Sequence, residues 1–430
     1  MKLHPAEIDL SLERMTRVLD ALGNPEKHLP PVFHVAGTNG KGSTSAFIRA
    51  LLESLGKRVH VYSSPHLVSF NERIRLGSTG KFVEDERLLE ALEAVEKAAA
   101  GQSITFFEAT TAAALWLFAS DRADYLVLEV GLGGKLDATN VINTPLVSVI
   151  TPIAKDHENF LGNNLEDIAK EKAGIIKRGR PIVSAQQTNA PHRVIERQAQ
   201  RCQAQIYFSG QEFVCWEEGG RLVYQDEQGL LEFSMPKLAG HHQVDNAGLA
   251  IAALRTTGLL SDIDEQQSCE KALRKAKWPA RLQPLYKGDL LKLLPESTEI
   301  WIDGGHNPQA GEVISSFLAD LEEKAPKPVF LVSGMMQTKD PIGFYQCFEG
   351  LVSHVYCIPL SSTNAGRPPE EIKAFAKAAR LKASQFSTLS EALTDLNKKL
   401  EKLDQPARIL FCGSLYLAGE LLKLNGTPPE

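Results

Sequence analysis

The run Ala36-Gly37-Thr38-Asn39-Gly40-Lys41-Gly42-Ser43-Thr44 limits the folds open to this chain more than any other stretch of it. Before it stands a short apolar segment, Val32 to Ala36, that reads as a buried strand. After it, Ser43 to Leu55 carries Phe47, Leu51 and Leu55 at four-residue spacing with Ile48 and Leu52 beside them, the apolar stripe of a helix that packs on a sheet. Strand, glycine-rich turn and helix in that order make a phosphate cradle. The glycines let main-chain N–H groups face an anion, the helix N-terminus adds positive potential, Lys41 reaches terminal phosphates, and a hydroxyl can face Mg²⁺. The general GxxxxGK[ST] pattern is not met, because Gly37 lies four residues before Lys41 instead of six and Gly42 separates the lysine from Ser43. The plainer alternative is a turn that caps the helix through Ser43.

Further short apolar runs, Arg58 to Tyr62, Tyr125 to Val130 and Leu146 to Ile150, read as strands alternating with helices, which predicts a mostly parallel sheet covered on both faces. The texture changes after Leu285, where YKGDLLKLLPEST brings turn residues and a proline. A second β-α series follows through Ile300 to Asp303, Pro328 to Ser333, His354 to Pro359 and Arg408 to Gly413. The expected fold is therefore α/β, with an N-terminal P-loop doubly wound ATPase domain over 1–288 and a smaller C-terminal Rossmann-like α/β domain over 296–430.

A chain of 430 residues with 43% hydrophobic and 23% charged residues has the composition of a folded globular protein of more than one domain. Its net charge of −6 argues against a surface for duplex nucleic acid, so no nucleic-acid partner is expected. MKLHPAEIDLSLERM has no apolar signal core, and the longest apolar run, near Ala112 to Ala119, is too short to span a membrane. A cytoplasmic protein with no membrane partner is expected. The six cysteines, Cys202, Cys215, Cys269, Cys347, Cys357 and Cys412, form no CxxC pair and read as reduced thiols, mostly in the core. The basic stretch Lys373 to Ser384 reads as a solvated helix face.

Donor side chains fall at the predicted strand ends, where a doubly wound sheet binds ligands: Ser64 in SSPH, Glu129 in LEVGLGG and His157 in KDHENFLG. Glu129, within an apolar strand, calls for a metal or a cation beside it, and a structural salt bridge is the competing reading. A lone histidine such as His157 is more often structural than a ligand. Lys172 in AKEKAGIIKRGRP reads on its own as part of a solvated basic helix face. Asp303 and His306 in WIDGGHNPQAG suit either contact with a nucleotide or turn formation with Asn307 as a cap.

Taken together, AGTNGKGSTSA, YSSPHLVSFNERI, TFFEATTAAAL, LEVGLGGKLDATN, EKAGIIK, HHQVDNAGLA and WIDGGHNP resemble the bacterial bifunctional dihydrofolate synthase/folylpolyglutamate synthase family, relatives of the Mur ligases. The match is specific from Val35 to Pro308 and looser beyond. The resemblance implies an ATP-dependent ligase that adds L-glutamate to dihydropteroate and to reduced folates through an acyl phosphate. It implies that Asn39, Gly40, Lys41, Gly42 and Ser43 bind ATP, with Asn246, Arg281 and Asp303. Ser64, Glu129, His157 and Lys172 become ligands of two Mg²⁺ ions, with Lys172 as an N6-carboxylysine, which reverses its plain reading. Lys41, Lys172 and His157 become the catalytic set. Thr105, Phe106, Phe107, Glu108, Leu136, Asp137 and Ala138 contact the pterin. The partners so implied are ATP, L-glutamate, dihydropteroate and reduced folates, acting on a monomer.

This chain departs from the family pattern at three places. Pro279-Ala280-Arg281 stands where PGR is usual, and alanine lacks the freedom of glycine at positive φ. Lys135 replaces arginine in KLDATN, and Gln337-Thr338 precede the pair Lys339-Asp340. Competing readings are a monofunctional folylpolyglutamate synthase, a Mur-type peptide ligase that shares the ATP site, and an ATP-binding module without catalysis.

Overall fold

The computed structural model describes residues 11–430, so most of the segment MKLHPAEIDLSLERM, expected to lack a signal core, lies outside the described residues. Three sheets organise the chain. The first contains β1 (Val32–Ala36), β2 (Val59–Tyr62), β3 (Ile74–Leu76), β4 (Lys81–Phe82), β5 (Tyr125–Glu129), β6 (Val147–Ile150), β7 (Ile182–Ser184) and β8 (Ile206–Phe208), in the order β4-β3-β2-β5-β1-β6-β7-β8. Its core pairs are parallel, and only the β2-β3-β4 edge runs antiparallel. An antiparallel meander follows: β9 (Phe213–Glu218), β10 (Arg221–Asp226) and β11 (Gly229–Ser234).

The second domain is built on β12 (Gln283–Leu285), β13 (Glu299–Ile302), β14 (Val329–Ser333), β15 (His354–Cys357), β16 (Ala383–Gln385) and β17 (Arg408–Cys412), ordered β12-β13-β17-β14-β15-β16. Its first strand, β12, pairs antiparallel with β13, so this sheet already begins ahead of the change of texture at Leu285. All the strands expected from the apolar runs are present, to within a residue or two at their ends.

Strand β1 is central because every residue of it is apolar or enclosed, as both faces of a parallel sheet require. The helix Lys41–Ser54 that follows covers one face, where Phe47, Leu51 and Leu52 share a core with Ala250, Ile251 and Leu254 of the helix His242–Thr256. The opposite face is closed by Phe106–Ser120, whose Ala112 to Leu115 are fully enclosed, which explains the longest apolar run. Among the described residues no helix is long and apolar enough to cross a membrane.

Two local expectations change. Lys373 to Ser384 is not one helix: the helix Pro369–Ala378 buries Ile372 and Ala376, and the chain then passes into β16. Of the six cysteines, Cys269, Cys357 and Cys412 are buried, whereas Cys202, Cys215 and Cys347 are only partly so. Packing of the first helix on the sheet predicts that Leu51→Ala, at a site with no solvent exposure, lowers stability by about 3 kcal/mol, read from urea unfolding.

Candidate active site

Strand register brings the donors together. Val35 of β1 lies beside Glu129 of β5, and Tyr62 of β2 beside Leu128, so the first residues past β2 and β5 emerge next to Gly37. The Ser64 main-chain N–H bonds the Glu129 carboxylate there. On the other flank Ala36 pairs with Ile150 of β6, and Thr38 fastens the outgoing loop through Oγ1 to the Ala154 carbonyl at 3.0 Å. That loop carries Asp156 and His157.

The phosphate loop itself is held open by glycine. Gly40 has φ 86° and a Cβ there would meet the Asn246 side chain at 2.5 Å, while a Cβ at Gly42 would strike the Trp278 indole at 2.3 Å. Gly40 is also the N-cap of the helix Lys41–Ser54, and no side chain caps it. Its first-turn N–H groups are thus left to an anion, the need that a serine cap would have removed. Ser43 sits inside the first turn, buried, so the reading in which it caps the helix is not what forms.

Two lysines converge on this loop. Lys41 Nζ donates to the carbonyls of Gly37 (3.0 Å) and Thr38 (3.1 Å), and Lys172 Nζ donates to the same Gly37 carbonyl at 2.9 Å. Lys172, on the helix Leu165–Ala173, is 5% exposed, which overturns the solvated reading made from its basic neighbours. Burial, and then the charge of Lys41, brings its ammonium down to about 7. Burial likewise lowers Lys41, against the pull of Glu129 and Asp156.

Glu129 is 4% exposed, and its Oε2 has no hydrogen-bond partner in the protein. Burial raises its carboxyl to about 7 even though Lys41 and Arg281 oppose the shift. A buried carboxylate oxygen with no donor fits a divalent cation. Among the described residues no three His, Cys, Asp or Glu side chains gather as a metal-binding group. Of the expected ligands Ser64, Glu129, His157 and Lys172, only Glu129 shows a buried oxygen without a partner. His157 has φ 53° and is partly exposed, and desolvation together with Lys339 lowers its imidazole to about 4, which leaves it neutral.

The second domain closes the site with His306, Asn307, Gln309 and Lys339. Asn39 and Asn307 exchange two amide hydrogen bonds, each 3.1 Å, and Asn39 Nδ2 also donates to Gln309 at 2.7 Å. Asn307 meanwhile caps the helix Pro308–Lys324 by accepting from the Ala310 N–H, so both readings of that turn hold at once. Asp156 takes Lys339 Nζ at 2.6 Å, lies 3.4 Å from His306 Nε2 and accepts from Asn307 Nδ2 at 3.2 Å. Burial works to raise its carboxyl, but His306, Lys339 and His157 hold it far below the usual range. Its only sequence signal was adjacency to His157. Arg281 lies between Ala280 and Leu282, and Ala280 takes φ 56° despite its Cβ. Asn246 is buried beside Gly40, with Nδ2 donating to Gln243.

The residues expected to meet a pterin are divided. Phe106 is 51% exposed beside Phe70 and under the Arg73 guanidinium, and Leu136 is partly exposed. Phe107 packs inward against Gly131 and Tyr62. Thr105 and Glu108 form a capping box, and the Glu108 carboxylate also takes Arg14 at 2.9 Å. Asp137 accepts from the N–H groups of Leu132 and Thr139, and Ala138 is buried behind it. These two carboxylates shape the loops that present Phe106 and Leu136. Lys135 is exposed, with its N–H on the Glu171 carbonyl at 2.7 Å.

Residues 35–254 match the family model described as Mur ligase middle domain, and 287–424 match that of the dihydrofolate synthetase C-terminal domain. The chain is similar to a dihydrofolate synthase/folylpolyglutamate synthase from Bacillus subtilis, 38% identical over 96% of this chain and 94% of that one. Its fold is similar to Escherichia coli FolC in complex with DHPP and ADP, with TM-score 0.85, 32% identity and coverage of 98% and 94%. It is equally close to a bifunctional folylpolyglutamate synthase/dihydrofolate synthase solved with Mn, AMPPNP and L-glutamate, with TM-score 0.84, 30% identity and coverage of 98% and 95%.

The lone Glu129 oxygen yields a prediction for the nucleotide-free protein. Mg²⁺ at millimolar concentration raises the melting temperature of the wild type, and this rise is lost in Glu129→Gln, whose own melting temperature stays within a few degrees. An equal Mg²⁺ response in both proteins removes Glu129 from the metal set.

Proposed function

The chain belongs to the dihydrofolate synthase/folylpolyglutamate synthase family of Mur-type ligases, and we propose from that premise how its own residues divide the work. It is an ATP-dependent folate–glutamate ligase with both activities, addition of L-glutamate to dihydropteroate and to reduced folates. The observation that carries the assignment of roles is the pair of amino groups on one loop carbonyl, half-buried Lys41 and buried Lys172, together with the unpartnered Glu129 oxygen.

The N–H groups after Gly40, with Asn39, Gly42 and Ser43, cradle the ATP phosphates, and Asn246 and Arg281 border the nucleotide, with Asp303 bonded to the Leu282 N–H beside the arginine. An oxygen of the acceptor carboxylate attacks the γ-phosphorus, the bond to ADP breaks, and an acyl phosphate results. Lys41 meets the charge that builds on the transferring group and costs little reorganisation, since Gly37 and Thr38 already hold it in place. The neutral amine of L-glutamate then attacks the carbonyl carbon, loses a proton, and expels phosphate that carries one former carboxylate oxygen. Ser64, Glu129, His157 and a carbamylated Lys172 would hold Mg²⁺, which supplies charge neutralisation on the phosphates when bound. Phe106 and Leu136 offer apolar surface for a flat pterin ring.

The environment of Lys172 supports the carbamylation that the family resemblance implies. An ammonium brought down to about 7 is substantially neutral at physiological pH, so its amine can add CO₂ and release a proton. The product keeps one N–H for the Gly37 carbonyl and turns a second buried cation into an anion. Protein equilibrated with ¹³CO₂ is expected to show one carbamate resonance that Lys172→Ala lacks, together with an activity loss of at least about a hundredfold in that variant. A fully active Lys172→Ala would return the residue to a structural role.

Lys41→Ala is expected to keep the wild-type melting temperature and lose turnover by about a thousandfold or more. Near-normal phosphate release from a folded variant contradicts the role given to Lys41. With ATP, Mg²⁺ and L-glutamate, product masses are expected to rise by one glutamate for dihydropteroate and for a reduced folate alike. Extension of the folate with inert dihydropteroate would leave a monofunctional polyglutamate ligase.

A further inference from the structure

Asp303 follows β13, and main-chain N–H groups take both of its carboxylate oxygens: Leu282 donates to Oδ2 at 2.8 Å and Gly305 to Oδ1 at 2.6 Å. The side chain is almost fully enclosed. The segment it grips has an uncommon backbone. Ala280 and Leu282 both lie in the left-handed region, with φ 56° and 42°. Each has a Cβ that disfavours this region, and neither has the short polar side chain that lets asparagine or aspartate tolerate it. Both are enclosed, so the surroundings and not local preference set the conformation.

The surroundings act through named bonds. Besides the Leu282–Asp303 tie, Gly304 N–H donates to the Ala280 carbonyl at 3.0 Å and Ala280 N–H donates to Gln283 Oε1 at 2.9 Å. Between the two strained residues stands Arg281. Its Nη1 returns to the Ala280 carbonyl at 2.8 Å, and its charge bears on Lys41, Glu129 and Asp303. Relaxing φ of Ala280 to an ordinary value is a rotation of about 120°, which would turn Arg281 away from that group.

We propose that Asp303 is a positioning residue: by clamping the Leu282 N–H it holds the strained turn Ala280–Leu282 in the one shape that aims Arg281 at the nucleotide. This rests on the nucleotide site proposed above and gives Asp303 a task exercised through Arg281. In Asp303→Asn one of the two N–H groups faces an amide NH₂ in place of an oxygen, the clamp fails, and the turn relaxes. A glycine adopts positive φ freely, so Ala280→Gly lets the turn form with a weaker clamp.

The test is titration calorimetry of the full chain with a non-hydrolysable ATP analogue and Mg²⁺. Asp303→Asn is expected to weaken binding by about tenfold, and Arg281→Ala by at least as much. The double variant R281A/D303N is expected to bind within about twofold of R281A alone, because Asp303 acts through the arginine. A280G/D303N is expected to recover at least about threefold over D303N. If D303N proves unfolded by melting, A280G and A280G/D303N are compared, and a difference under about threefold supports the proposal. Multiplied losses in R281A/D303N, or no recovery in A280G/D303N, overturn it and leave the nucleotide reading standing, whereas a wild type that binds no analogue removes both.

Discussion

Two ammonium groups aimed at a single carbonyl form the constraint around which the rest of the molecule is arranged. Lys41 and Lys172 both reach Gly37, and burial disfavours the charge of each. Such an arrangement is unfavourable on its own: Glu129 and Asp156 offset it for Lys41 and Asp156 for Lys172, and a carbamate on Lys172 would remove one of the two cations. Parallel register on both sides of β1 is what makes it buildable, because the strand ends on either flank, β5 and β6, emerge level with the loop. A one-residue slip of β5 would turn Glu129 to the other face of the sheet and take from Lys41 the carboxylate that most favours its charge.

The reach of the second domain into the site is a reciprocal amide pair at Asn39 and a charged knot around Asp156, made of Lys339, His306 and Asn307. Asp156 precedes His157 directly, so domain position and the placement of the imidazole are mechanically linked. Bonds of this kind are individually modest, and a domain that meets the site through a few of them can open to admit substrates and close to exclude water.

Periodicity made the strand–loop–helix legible, since Val32 to Ala36 and the stripe through Phe47, Leu51 and Leu55 are local patterns. The first and last residues of the helix were less so: it starts at Lys41, because Gly40 takes the cap position through its backbone and needs no polar side chain. Lys172 was illegible in its own neighbourhood, since its burial comes from Gly37, far away in sequence. Only the family resemblance pointed to it. Glu108 and Asp137 show the converse, as motif residues whose carboxylates are taken up by a helix cap and by main-chain N–H groups of their own loop. Ala280 shows a third limit: its side chain argues against the left-handed path it takes, and tertiary ties outweigh that preference.

The central claim is that this cationic loop transfers the γ-phosphoryl group of ATP to an acceptor carboxylate before glutamate attacks. Following oxygen tests it most directly. A folate acceptor labelled with ¹⁸O in both oxygens of the reacting carboxylate is turned over once with ATP, Mg²⁺ and L-glutamate, and the inorganic phosphate is weighed by mass spectrometry. Transfer to the carboxylate puts one ¹⁸O in the phosphate and leaves one in the new amide. Phosphate free of label would mean that water, and not the carboxylate, received the phosphoryl group, and would contradict it.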